Sequence, residues 1–256
     1  MSKAIPRPLR RPMALGLIGL VGLAACAPTA GPRLIPLKPA NPPDRPALSL
    51  RRAERAARLE EIRQGLLVRA RAQGRWMTDS PLGERILRLS APLLEAAREV
   101  RPERADSAGP IDVILMDTNG VADVLPMAPA GVILVLPVQA SAPDLGDPLL
   151  SALLAHGIAH GLRDHALETE WLDAAGPRFT PIQEREADRD TCELLARAGL
   201  DPMLAWDLRA RLAQGSRPTP PTDWGRRHPD PPGARQSIEA FAARVKPLRA
   251  NTPAVR

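Results

Sequence analysis

Two histidines four residues apart, His156 and His160, stand in an uncharged stretch that reads LLAHGIAHGL over 153–162. On a helix, residues at this spacing share a face, so both imidazoles can reach one cation. A buried imidazole pair needs partners, and a shared divalent ion supplies one to both. Where such a pair serves hydrolysis, the residue after the first histidine is a glutamate acting as general base. Here it is Gly157. The spacing that holds a metal is present, and the carboxylate that moves a proton is absent. Metal-bound water has its pKa lowered to about 7, so some hydroxide forms unaided. The base also orients the water and protonates the leaving group, and groups in that role contribute about 10²–10⁴-fold. Hydrolysis is therefore expected to be impaired or lost.

A zinc site wants a third protein ligand. The stretch IQEREADRD over 182–190 reads as the start of a helix on which Glu184 and Asp188, four apart, share a face. Glu184 can complete a His-His-Glu set, with Asp188 behind it holding a ligand imidazole in one tautomer. Glu186, two residues on, points elsewhere. Read alone, the segment is equally a charged, solvated face. The remaining histidines are His165, placed on the same helix as the pair, and His228 in a late Pro-rich stretch.

These residues need a core to position them. The chain has 256 residues, 44% hydrophobic and only 2% aromatic, with no Tyr. That suffices for one mid-sized domain with a core of Leu, Ala, Val and Ile. Its 30 prolines crowd towards both ends. The formal charge of +6 is concentrated early: residues 1–25 hold Lys3, Arg7, Arg10 and Arg11 and no acid. Without those four, 31 basic side chains face 29 acidic ones. So even a balance excludes the broad basic surplus of a nucleic-acid binder, although segment 51–75 is Arg-rich.

Residues 1–25 read as a signal peptide, with a basic start and an apolar run from Met13 to Leu23 too short to span a bilayer. The run ends in Leu-Ala-Ala-Cys at 23–26, which resembles the bacterial lipobox, so Cys26 is the expected lipidation site and membrane anchor. An ordinary signal peptide or an uncleaved anchor is the alternative. Ala27 favours the periplasmic face of the outer membrane over the inner. Cys192 is then left without an intrachain partner, and its apolar helical setting predicts a buried, inert thiol. Residues 26–48 read as a Pro-rich tether, 49–246 as the folded domain and 247–256 as a flexible tail.

Within the domain the periodicity predicts helices over 49–75 and 81–100. It predicts strands over 111–117 and 131–136, with turns between them. A helix from an Asp147 cap and Pro148 runs to about His165 and carries both site histidines. Further helices fit 182–198 (ending at Gly199), 201–214 and 234–245, with loops over 173–181 and 216–233.

Three segments in order carry a resemblance: HGIAHGLRDH at 156–165, EREAD at 184–188 and HPDPPGAR at 228–235. The set resembles the metallopeptidase family that contains the HtpX heat-shock protease, the CAAX prenyl protease and BepA-like periplasmic lipoproteins. Members of that family carry a helix like HEIGHVVARH, a helix like ExEAD and a late HP-x-x-x-x-x-R element. The resemblance covers residues 50–245. It implies an α+β, mostly helical, gluzincin-like fold with a small sheet beside the HxxxH helix. It implies zinc on His156, His160 and Glu184, with Asp188 supporting. It places His228 near the metal, polarising a substrate or capping the ion, and gives Arg235 either an assisting role or that of tying down the last helix. His165 is a packing and hydrogen-bonding residue on this reading. GVILVLPV at 131–138 resembles the edge strand with which such enzymes pair substrate backbone.

The departures are Gly157 itself, VADVLPMAPAG at 121–131 where the family tends to NAFALPGG, and the lack of any Tyr to steady an oxyanion. The expectation is a lipid-anchored envelope protein with a zinc-metalloendopeptidase fold and little or no proteolysis, binding envelope proteins or peptides in the old substrate cleft. On that expectation, a glutamate restored at 157 returns cleavage. The alternatives are an active endopeptidase using another base and a metal-free structural lipoprotein.

Overall fold

The computed structural model describes residues 45–116, 122–127, 131–137, 145–169, 178–214, 225 and 228–250. The signal peptide, Cys26, nearly all of the tether and most of the 173–181 and 216–233 loops lie outside these residues. Every element below belongs to the compact unit Asp44–Arg256.

The core begins with a three-stranded sheet: β1 (Ile111–Met116), β2 (Asp123–Pro126) and β3 (Val132–Pro137). The order is β1-β3-β2, with β3 parallel to β1 and antiparallel to β2. VILVLP is apolar at every position because it is the central strand, covered on both faces. This corrects the expectation that it forms an edge. Both of its edges are taken, the outer strands are β1 and β2, and DVLP, which lies where turns are expected, forms β2.

Side-chain alternation splits the sheet between two cores. Val113, Val124, Val132, Leu134 and Leu136 face the larger core. Ile114, Leu125, Ile133 and Val135 face Leu66, Leu67 and Ala70 of α1 (Arg45–Ala72). Helix α1 starts inside the stretch read as tether. Arg63 on it reaches the buried Asp112 of β1 at 2.5 Å.

Beneath the larger core face lies α3 (Asp147–Leu162), with every residue from Leu150 to Leu162 buried. A helix that is apolar all round belongs inside a protein, and helix α2 (Pro81–Val100), capped by Ser80, packs against it. The cap of α3 is Gly146, one residue before the expected Asp147, which instead lies in the first turn and pairs with Arg85. The helix also stops earlier than expected. Asp164 adopts a left-handed backbone (φ 55°) and separates α3 from the short α4 (His165–Glu168), so His165 is not on the helix of the other two. Two arginines, Arg52 and Arg104, close on the Asp164 carboxylate and fix this corner.

Helix α5 (Pro181–Arg197) starts with a full capping box, in which Thr180 and Gln183 satisfy each other's backbone N–H groups. It packs on α3, on α6 (Leu204–Gln214) and on α7 (Ala234–Ala250). Its Cys192 is fully buried and its thiol is pushed up to about 12 by that burial. No described helix is long and apolar enough to cross a membrane.

Gly157 sits where α3 meets β2. A Cβ there would lie 1.7 Å from Val124 Cγ1 and 2.8 Å from Val124 Cβ. Val124 therefore fills the place where a side chain at 157 would start. A glutamate introduced there meets Val124 first, so the substitution alone is not expected to return a carboxylate to the site. The helix interior normally gains about 1 kcal/mol from Gly→Ala. Here Gly157→Ala is expected to lower stability by about 1–3 kcal/mol in urea unfolding, through overpacking, and Val124→Ala is expected to relieve much of that loss. A Gly157→Ala protein more stable than the parent contradicts the contact. In a Cys26→Ser protein, Cys192 is expected to stay unreactive towards a thiol reagent at pH 8 until denaturant is added; prompt labelling of the native chain contradicts its burial.

Candidate metal centre

Three elements bring the donors together. Helix α3 supplies His156 and His160, whose Nε2 atoms lie 3.1 Å apart. The first turn of α5 supplies Glu184, where the helix N-terminus favours a carboxylate. Its Oε1 is 3.3 Å from His160 Nε2, and its Oε2 is 3.5 Å from His156 Nε2. The segment before α7 supplies His228, with Nδ1 at 2.9 Å from Glu184 Oε1 and 3.3 Å from His156 Nε2. One donor atom from each of the four residues falls within 4.8 Å of all the others, close enough to bind a metal ion. All four residues are buried, at 3%, 0%, 0% and 4% exposure for His156, His160, Glu184 and His228.

The nitrogens and oxygens that face away from the cluster have partners of their own. His156 Nδ1 is 3.8 Å from Asp188 Oδ1. His160 Nδ1 is 2.9 Å from His165 Nδ1, and His165 Nε2 in turn is 3.1 Å from Glu186 Oε2. His228 Nε2 is 3.5 Å from Asp123 Oδ1. Phe179 stacks on the His160 ring at a centroid distance of 3.7 Å. Arg209 of α6 donates to Glu184 Oε2 at 2.6 Å and to both oxygens of Asp188 at 2.9 and 3.1 Å. Such outer contacts fix ring planes and tautomers around a bound ion.

Burial dominates the electrostatics. It drives the His160 pKa well below its ordinary value, which keeps the ring neutral and its lone pair available. Burial also lowers His165 and raises Asp188. It opposes ionisation of Glu184 too, but the charge on His228 and hydrogen bonds from the three histidines outweigh it and hold the carboxyl well below the usual range. For His228, burial works against the proton, and Glu184 together with Asp123 overcomes it, so the pKa is raised. With His228 neutral, as a metal-ligating imidazole must be, the cluster and its surroundings hold three buried carboxylates (Asp123, Glu184 and Asp188) and one buried guanidinium, Arg209. Buried charge demands compensation, and a single divalent cation among the donors would balance it.

His156, His160, Glu184 and His228 of the sequence-derived set thus converge, with Asp188 and His165 directly behind them. Arg235 does not. It is 64% exposed on α7, pairs with Glu239 at 2.8 Å and lies over Trp206, so its place is tying down the last helix. Asp123, Phe179 and Arg209 escaped sequence reading, since none falls in a recognisable spacing with the donors. The chain matches no protein-family model and no curated protein sequence.

Each of His156→Ala, His160→Ala, Glu184→Gln and His228→Ala is expected to abolish stoichiometric binding of a divalent metal, whereas Arg235→Ala is expected to retain it, by elemental analysis of the purified protein. Full retention in the first four contradicts the donor assignment. With only four histidines in the chain, nitrogen NMR of metal-loaded protein can report each ring. Ligation is expected through Nε2 of His156 and His160 and Nδ1 of His228, and a His228 bound through Nε2 contradicts the orientation described.

Proposed function

We propose that this chain is a zinc-binding lipoprotein of the bacterial envelope, anchored through Cys26 at the periplasmic face of the outer membrane, with a gluzincin-like fold that holds its ion without proteolysis. The observation that carries this reading is the four-donor set. Zinc bonds to His nitrogen and carboxylate oxygen run about 2.0–2.2 Å, which sets neighbouring donors of a tetrahedral site about 3.4 Å apart. With Oε1 as the Glu184 donor, four of the donor–donor distances lie between 2.9 and 3.3 Å. Three imidazoles and a carboxylate are the ligand types zinc takes.

Catalytic zinc sites keep a position open for water, while structural ones fill all four with protein. His228 supplies the fourth donor, and Val124 occupies the start of the path a base at 157 would follow. When bound, zinc would lend this site Lewis acidity and a firm crosslink between α3, α5 and the segment before α7. The chain's own residues do the rest: Arg209 and Asp188 orient Glu184 and His156, and His165 orients His160. The resemblance of the three motifs to zinc metallopeptidases supports the fold's ancestry, and the lipobox-like LAAC supports the anchor. A polypeptide partner would add at the outer edge of β2, but all four β2 residues are buried, which favours holding metal over accepting a strand. The alternative of an active endopeptidase has Asp123 as its candidate base, and that carboxylate faces His228.

The purified full chain with one equivalent of zinc is expected to leave casein intact, and chelation is expected to lower its melting temperature. A ligand held a thousandfold above its dissociation constant stabilises by about 4 kcal/mol. Casein cleavage that His156→Ala abolishes would overturn the non-proteolytic reading.

A further inference from the structure

We infer that Asp123 is a positioning residue that holds His228 as the fourth donor, and that it reaches His228 because residue 157 has no side chain. The inference rests on the reading of the cluster as a metal site and adds a residue to it.

The geometry is a relay. His228 turns Nδ1 towards Glu184 and His156, and Nε2 towards Asp123 Oδ1 at 3.5 Å, the outer edge of hydrogen-bond reach. An imidazole that offers one nitrogen to a metal carries its proton on the other, and a carboxylate placed there selects that tautomer and fixes the ring plane. Asp123 is buried and is itself steadied, its Oδ1 accepting the Val124 N–H at 2.7 Å. The other two donor imidazoles also have a buried polar group behind them: Asp188, 3.8 Å from His156 Nδ1, and His165, whose Nδ1 is 2.9 Å from His160 Nδ1. Asp123 completes the set of three.

Its position depends on β2. That strand pairs with β3 from Asp123↔Val135 to Pro126↔Val132 and rests directly on α3, with Val124 against Gly157. Any side chain at 157 must push β2 away from the helix, since the atoms it would meet are Val124 Cβ and Cγ1 rather than a flexible tip. Moving β2 outwards carries Asp123 away from His228. The missing base at 157 and the orienting carboxylate at 123 are therefore two faces of one packing arrangement. It exchanges a proton-transfer group for a device that closes the site.

The test uses the full chain loaded with cobalt(II), whose visible bands report coordination number. Parent, Asp123→Ala, Asp123→Asn, His228→Ala and Asp112→Asn proteins are titrated, the last disturbing a buried aspartate of β1 away from the site. Asp123→Ala is expected to bind cobalt about 10–100-fold more weakly, with bands moved towards those of His228→Ala. Asp123→Asn, whose amide oxygen still accepts from Nε2–H, is expected to keep the parent bands at an intermediate affinity, and Asp112→Asn to match the parent. Parent-like affinity and bands in Asp123→Ala overturn the inference, as does an equal loss in Asp112→Asn. If Asp123→Ala does not fold, Asp123→Asn decides: binding as tight as the parent overturns it. Failure of the parent itself to bind cobalt or zinc is a different result, visible before any variant, and removes the metal-site reading.

Discussion

The whole arrangement turns on the contact between α3 and β2 at Gly157. Helix α3 is buried on every side, so whatever packs against it decides what its histidines can face. Because residue 157 carries no Cβ, a β-strand can rest on the helix with Val124 seated where a side chain would begin. That contact completes the larger core, and the same strand carries Asp123 to within 3.5 Å of His228. A glycine in mid-helix costs about 1 kcal/mol in propensity against alanine. The packing of an entire edge strand is what offsets it.

Around that contact the site is built as a set of compensated charges. Glu184 sits at a helix N-terminus and under the Arg209 guanidinium, and Arg209 also clamps Asp188 and the exposed Asp230. Removing one partner from such a buried network leaves an uncompensated charge. The same logic explains the neighbouring corner, where Arg163 holds Asp190 in a bidentate pair while Arg52 and Arg104 hold Asp164. These pairs anchor the turn that carries His165 towards His160. Burial lowers the His160 pKa and demands cationic or donor partners for Glu184, and the four donors lie close enough to bind a metal ion.

Much of this was legible in the chain. The four-residue spacing of His156 and His160 depends only on helix geometry, and Glu184 follows from helix phase within EREAD. His228 came from motif resemblance, because no local rule links it to residues some seventy positions earlier. The helical reading of 156–165 ran too far because Asp164 can adopt a left-handed backbone that pattern alone does not reveal. The motif resemblance makes β3 an edge, whereas VILVLP, apolar at every position, carries the mark of a central strand. Strand β2 is not legible in the sequence, because four residues ending in proline look like a turn without a partner strand beside them. Asp123 and Arg209 act through long-range pairing, and single acids and arginines are too common for spacing to single them out. Arg235 was drawn towards the site by its motif, and the structure turns it outwards on the exposed face of α7.

The proposal of a closed zinc site is tested most directly by zinc K-edge X-ray absorption on the full chain carrying one equivalent of zinc. Three buried imidazoles and one carboxylate predict four nitrogen or oxygen neighbours at about 2.0–2.1 Å, with strong multiple scattering from three rings and no water in the shell. Scattering from two rings with a water-filled position, or a zinc that washes out of the folded protein, would contradict it.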